Sequence, residues 1–279
     1  MKSSRVVIKL GGASLQNKET LGILAEAIAQ YRKYGYQVLL VHGGGPAINS
    51  ELQRRNISWR FHEGQRVTTP EMAEVIEMVL CSQINRQIVG TLEGAKVPSF
   101  GMACAAETPF LCKSFSPELD RVGAISSVRS DKLEKTLAWP LSPVPVLAPV
   151  GQDQAGLVYN INADWAACWL ATKMQAKYLI YLTDQDGILD QNQNLITHVS
   201  VCDIDNLIQS EVVTGGMMTK VRSIAQALKN GVQGVRIMNA QAAVKGLWHD
   251  EVGTWCSESF PTELLWTADE YGEVAYAKA

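Results

Sequence analysis

Two lysines and three glycine clusters are the residues of this chain best suited to chemistry. Lys9 stands inside the apolar run Arg5-Val6-Val7-Ile8-Lys9-Leu10 and is followed by Gly11 and Gly12. Burial disfavours the charged form of a lysine, so one in such a run needs an anionic partner or a functional reason. The competing reading is an ammonium that snorkels from a strand end. The glycines favour function, because they strip side chains from the surface the ammonium would face. Lys220 closes Gly215-Gly216-Met217-Met218-Thr219-Lys220, which opens a later helical pattern. Between the two lysines, Val41-His42-Gly43-Gly44-Gly45-Pro46 reads as a strand, a bare loop and a helix start. That is an anion or carboxylate cradle by geometry. A tight turn would need one glycine, not three. The dinucleotide fingerprint G-x-G-x-x-G and the Walker loop are both absent. Glycine and lysine repeated where strands end and helices begin suit phosphate handling at a site drawn from both ends of the chain.

Three further segments offer candidates. Arg66, in Gly64-Gln65-Arg66-Val67-Thr68, could present a bidentate fork to a substrate carboxylate, although, taken alone, a surface arginine is the better explanation. Asn160-Ile161-Asn162-Ala163-Asp164 opens a helix, with Asn162 as N-cap and Asp164 in the first turn. A functional Asp164 would be an anion between two lysines. Thr183-Asp184-Gln185-Asp186-Gly187-Ile188-Leu189 follows a strand, at the usual ligand edge of an open α/β sheet. A plain turn would also account for Asp186-Gly187.

The elements that must position these residues alternate between strand and helix. Arg5–Leu10, Gln37–Val41, Val146–Ala148, Tyr178–Leu182 and Val235–Met238 read as strands, with Val97–Phe100 as a short one. Helical spacing covers Lys18–Tyr34, with Gly35 as its stop, then Pro46–Arg55, Ala163–Met174, Val221–Lys229 and a short Ala240–Leu247. Thr68-Thr69-Pro70-Glu71 has the spacing of a capping box, and the helix behind it carries Met72, Val75, Ile76, Val79, Leu80, Ile84 and Ile88. That stripe serves either the core alone or the core and a second subunit. Pro109, Pro117 and Gly123 suit hairpins between Thr108 and Ser127, and Pro140, Pro143 and Pro145 mark a stiff connection. The pattern predicts an α/β fold: a three-layer α/β/α sandwich around a mainly parallel sheet, in two lobes, 1–177 and 178–279.

Composition removes other classes. A net charge of −3 across 279 residues, without any cluster of Lys and Arg, gives no nucleic-acid footprint. The 47 % hydrophobic and 19 % charged content suits a large core. No apolar stretch reaches the roughly 18–20 residues of a membrane span, and no signal peptide is read at Met1-Lys2-Ser3-Ser4. Six cysteines without a C-x-x-C pair, and four dispersed histidines, predict reduced thiols, a cytoplasmic setting and no metal held directly by side chains. Cys81 and Cys168 are expected in the core.

In order, these segments resemble the amino acid kinase superfamily and, within it, the acetylglutamate kinase branch. The matching text is Ile8-Lys9-Leu10-Gly11-Gly12, His42 to Gly45, Gly64 to Thr68, Asn160 to Asp164, Thr183 to Leu189, and Thr214 to Met217 with Lys220. The resemblance implies ATP-dependent phosphorylation of the side-chain carboxylate of N-acetyl-L-glutamate, in arginine biosynthesis, by a homodimer joined through Glu71–Glu93. It implies Lys9 and Lys220 as stabilisers of the transferring phosphoryl group, with Asp164 orienting them. Gly44, Gly45, Arg66 and Asn160 would hold the acylated amino acid. Gly11, Gly12, Asp184, Gln185, Asp186, Gly187, Ile188, Leu189, Val212, Val213 and Thr214 would form the nucleotide site, with Mg²⁺ held mainly through the phosphates. Lobe closure would then help assemble the site.

The chain departs from the family pattern at Met102-Ala103-Cys104-Ala105-Ala106-Glu107, expected to border the acyl pocket, and at the bulky Trp165 and Trp169. Its tail, Trp255–Ala279, is expected either to dock on a partner or to be tethered. Without an extra N-terminal helix, no arginine-built hexamer is expected. The alternatives are a kinase for another acylated acid, of the succinylglutamate or aminoadipate type, and a non-catalytic nucleotide- or metabolite-binding regulator.

Overall fold

The N-terminal apolar run forms the middle of the molecule. Strand β1 (Arg5–Leu10) is buried along its whole length, as a continuous apolar run requires of a strand covered on both faces. The computed structural model describes residues 4–258 apart from 63, 103, 211, 212, 214 and 248. After β1 come α1 (Lys18–Lys33), β2 (Gln37–His42) and α2 (Gly45–Arg54). A hairpin of β3 (Phe61–His62) and β4 (Gln65–Arg66) precedes a long helical rod: α3 (Pro70–Glu77), a π-helical stretch (Met78–Ile84) and α4 (Asn85–Gly94). Then follow β5 (Ser99–Met102), β6 (Phe110–Ser114), β7 (Gly123–Val128), α5 (Asp131–Leu137) and β8 (Val144–Leu147). A short pair, β9 (Val150–Gln152) and β10 (Val158–Asn160), leads into α6 (Ala163–Lys173). The remainder holds β11 (Tyr178–Thr183), β12 (Ile188–Leu189), β13 (Leu195–Ile196), β14 (His198–Ser200) and α7 (Val201–Gln209). It ends with α8 (Gly215–Lys229), β15 (Gly234–Asn239) and β16 (Thr254–Ser257).

One eight-stranded sheet runs in the order β14-β16-β15-β11-β1-β2-β8-β5. It is parallel from β15 to β5, and only β15 and β16 pair antiparallel. Side chains of a strand alternate between faces. Accordingly Val6, Ile8 and Leu10 enter a core shared with α1 and the helical rod, whereas Val7 enters a second core shared with α6 and α8. Lys9 has the parity of Val7, so the sequence commits its ammonium to the α6–α8 face. Burying a side chain such as Ile8 contributes about 1.5–3 kcal/mol, and both faces of β1 gain this.

Several local expectations are corrected. Thr69, not Thr68, caps α3, its hydroxyl accepting from the Met72 amide, while Thr68 is buried and donates to the Arg66 carbonyl. All seven apolar residues of the stripe from Met72 to Ile88 lie in the chain's own core, and the helix carrying them widens at Met78–Ile84. Within Pro140–Pro145 the strand begins already at Val144. Pro145 fits because β8 pairs with β2 only from Val146 onward, so no ladder on that side needs its missing N–H. Residues 240–247 form two short 3₁₀ turns rather than one helix, and α5 was not foreseen. Trp255 and Cys256 are buried members of β16, while the rest of the tail from residue 259 lies outside the described residues. Cys81 and Cys168 are buried and free, as expected.

Candidate active site

The ends of three elements converge on one carboxylate. Lys9, at the end of β1, places Nζ 2.8 Å from Asp164 Oδ1. Lys220, in α8, places Nζ 3.1 Å from Oδ2 and 3.2 Å from Oδ1 of the same group. Asp164 lies in the first turn of α6, whose N-cap Asn162 accepts from the amides of Asp164 and Trp165. Each of the three residues is only 7 % exposed. Burial opposes ionisation of Asp164, but the charges and hydrogen bonds of Lys9 and Lys220 outweigh it and hold the carboxyl below its usual range. Burial lowers Lys220, and the like charge of Lys9 lowers it further, against the pull of Asp164 and Asp184. Two cations share one anion, so the buried cluster carries one positive charge in excess. Such a charge is costly without a partner, and the partner it fits is an anionic ligand. In this structure both ammonium groups already share the Asp164 carboxylate.

Around Lys9 the glycine loops pack backbone on backbone. A Cβ on Gly12 would lie 2.8 Å from the amide nitrogens of both Gly44 and Gly45, and one on Gly43 would lie 2.9 Å from the Gly12 nitrogen. Not every glycine amide is available to a ligand. Gly11 donates to the Leu182 carbonyl and Gly43 to the Leu10 carbonyl, each at 2.8 Å. His42, beside this loop, is fully buried, with Nδ1 2.9 Å from the Gly43 carbonyl and Nε2 3.4 Å from Asn85 Nδ2. Burial pushes its imidazole down to about 4, so it is neutral near pH 7 and holds the loop.

A cavity of about 380 Å³ opens here, lined by Lys9, Gly12, Gly44, Gly45, Asn49, Phe61, Arg66, Asn160 and Asp164. Arg66 is buried, stacks 4.8 Å over the Phe61 ring and 5.7 Å from that of Trp59, and donates through Nη2 to Asn49. Its Nη1 is buried without a hydrogen-bond partner. An orphan guanidinium nitrogen beside a cavity is a ready carboxylate donor. Asn160 is held by Nδ2 donating to Thr68 at 3.1 Å. None of the described residues of Met102–Glu107 lines this cavity, and the Ala105 amide donates to Glu77 at 2.7 Å.

A second cavity, of about 510 Å³, lies over the C-terminal ends of β11 and β15. Asp184, Gln185, Asp186, Ile188, Leu189 and Val213 line it, together with Asp190, Gln193, Met217 and Asn239. Gly187 packs tightly instead, where a Cβ would come within 2.6 Å of both Leu195 and Thr254. Gly12 lines the first cavity, not this one. Val212 and Thr214 lie outside the described residues.

Sequence reasoning missed Asn49, Trp59, Phe61, Asn239 and Tyr181. Tyr181 places its hydroxyl 3.2 Å from the Asp164 carbonyl and 2.8 Å from Ser223 Oγ. Strand parity alone put Tyr181 on the face of Lys9, its register partner.

The chain belongs to the amino acid kinase family, whose model matches residues 4–239. Among its relatives, the acetylglutamate kinase of Koribacter versatilis is 36 % identical over 243 residues, covering 86 % of this chain and 92 % of that protein. The acetylglutamate kinase of Bacillus cytotoxicus is 34 % identical, covering 89 % and 94 %. The crystal structure of smu.665 from Streptococcus mutans shares the fold with a TM-score of 0.80 at 25 % identity, covering 91 % of this chain and 99 % of that one.

Proposed function

We propose that the protein transfers the γ-phosphoryl group of ATP to the side-chain carboxylate of N-acetyl-L-glutamate, giving an acyl phosphate in arginine biosynthesis. The observation that carries this reading is the buried Lys9–Asp164–Lys220 cluster, with its excess positive charge, beside a cavity that holds an orphan arginine donor and within electrostatic reach of Asp184, which lines the second cavity. A carboxylate with a reference pKa near 4.3 is ionised at pH 7 and needs no general base. A neutral His42 and an otherwise base-poor site agree with that. Catalysis then rests on alignment and charge neutralisation. Arg66 and Asn160 orient the acylated amino acid, the free amides at the head of α2 face its reacting end, and Lys9 and Lys220 neutralise charge on the phosphoryl oxygens. Asp164 keeps both ammonium groups aimed.

The second cavity suits the nucleotide as its Mg²⁺ complex. Carboxylate oxygens are hard donors that fit Mg²⁺, and Asp184 and Asp186 line this cavity, while the triphosphate supplies most of the coordination. Residues lining the first cavity fall between Lys9 and Asp164 and those of the second between Asp184 and Asn239, which supports lobes of 1–177 and 178–279. A cytoplasmic homodimer through Glu71–Glu93 completes the proposal. Its apolar stripe is used by the chain's own core, so the interface would rest on the outer, polar face of the rod. Light scattering of the purified protein tests it.

The decisive experiment is a coupled ADP-release assay across acylated amino acids, with the acyl phosphate trapped by hydroxylamine. N-acetyl-L-glutamate should give the highest kcat/KM. Preference for another acid, or nucleotide binding without any trapped product, defeats the reading.

A further inference from the structure

Tyr181 meets all three members of the charged cluster. It is the register partner of Lys9 across β1 and β11. Its hydroxyl lies 3.2 Å from the backbone carbonyl of Asp164. Its ring centroid lies 5.3 Å from Lys220 Nζ. Through Ser223 it also reaches the backbone of Lys220: Tyr181 Oη and Ser223 Oγ are 2.8 Å apart, and Ser223 Oγ donates to the Lys220 carbonyl at 2.7 Å. Each hydroxyl has one proton to give. With the Ser223 proton on Lys220, the Tyr181 proton serves either Ser223 on α8 or Asp164 on α6, and a rotation of the C–O bond exchanges them. The phenol is thus a pin between the two helices that carry the carboxylate and one ammonium. Burial, with the nearby Asp164 charge, holds the phenol well above its ordinary range, so it stays a donor at working pH. The ring adds a second effect. An ammonium over an aromatic face is attracted by the ring quadrupole, and the attraction grows when water is excluded. Lys220, destabilised by burial and by Lys9, is where such help counts.

We propose that Tyr181 is a positioning residue: its hydroxyl fixes the first turn of α6 against α8, and its ring face supports the Lys220 ammonium. This deepens the phosphotransfer reading and rests on it for the kinetic test, but not for the titration below.

The test compares Tyr181→Phe, Tyr181→Met and Ser223→Ala in the full chain, using whichever acid the unmodified protein turns over best. Removing the hydroxyl in Y181F should lower kcat about five- to tenfold, the scale of one lost hydrogen bond, with both KM values within about twofold. S223A should reproduce that loss. Lysine labelled with ¹³C at Cε reports the titration of Lys220 by NMR without substrate, its signal assigned by its absence in Lys220→Arg. That titration should be unmoved in Y181F and shifted to lower pH in Y181M, which lacks the ring. If Y181M does not fold, tetrafluorophenylalanine at position 181 removes the negative ring face at nearly constant shape. The proposal is overturned if Y181F and S223A both keep kcat within about twofold of the unmodified protein. It is equally overturned if the Lys220 titration ignores loss of the ring face. Failure of the acylglutamate assay alone would leave the NMR result standing.

Discussion

The two cavities are built in opposite ways. The first is walled by backbone against backbone, with Gly12 pressed on Gly44 and Gly45 and an arginine sandwiched between aromatic rings and Asn49. The second is rimmed by three carboxylates, Asp184, Asp186 and Asp190, on short turns and a two-residue hairpin. One region therefore fixes position with atoms that cannot yield. The other sets charge and leaves position to what binds there. Recognition of a small, charged acid needs the first design, whereas a nucleotide that brings its own cation tolerates the second.

Mutations can break or sharpen that contrast. The largest effects belong to the charged cluster beside the first cavity. Lys9→Ala and Lys220→Ala should each lower kcat by about two orders of magnitude or more, the scale of a lost oxyanion-type donor. Asp164→Ala should also reduce stability by about 3–5 kcal/mol in denaturant unfolding, because two buried ammonium groups lose their shared partner. An effect confined to one KM would assign the cluster to a single cavity.

Next in size, Arg66→Ala should raise KM for the acid about 10–100-fold, as for a lost charge-assisted hydrogen bond, and leave the nucleotide KM unchanged. A change in the nucleotide KM instead would erase the division between the regions. Smaller again is a pair of glycine substitutions. Gly12→Ala forces a Cβ to 2.8 Å from two backbone nitrogens, whereas Gly45→Ala meets nothing within 4 Å. The first should cost about 1–3 kcal/mol and the second within about 0.5 kcal/mol, read from thermal unfolding. Equal costs would mean that the first cavity is not rigid.

The smallest expected effect is a pH divergence. Lys220 must be charged to act, and its folded value is lowered, so kcat should decline on the alkaline side before the usual lysine range. Over that same window the unfolded chain binds more protons than the folded one, so this group's contribution to stability rises with pH. Asp164 behaves in the opposite region: its stabilisation is complete above its unfolded value and is lost as pH falls through its lowered folded value. Parallel loss of activity and stability at alkaline pH would refute the Lys220 assignment.

Much of this was legible in the sequence, for definite reasons. Long apolar runs such as Tyr178–Thr183 announce buried strands, and a lysine inside one, like Lys9, is costly enough to stand out. Asp164 was harder, since a first-turn aspartate has an ordinary explanation. The rest was hidden by length or by distance. Strands of two or three residues, such as β9, β12 and β13, are too short to show a period. The widened turn at Met78–Ile84 leaves an apolar stripe that still reads as an ordinary helix. Asn49 and Phe61 gain meaning only through Arg66, and the hydroxyl of Tyr181 is disguised by its apolar neighbours.

Strand β1 is hydrogen-bonded on both sides, to β2 along six register pairs and to β11 along five. The floor beneath both halves of the molecule is therefore a single woven fabric, with no seam along which a clamshell could open. A floor continuous beneath both halves favours a stroke in which helices and hairpins slide over it, a shear in place of a hinge. The central strand that carries Lys9 would then stand as the fixed datum against which every other moving part is measured.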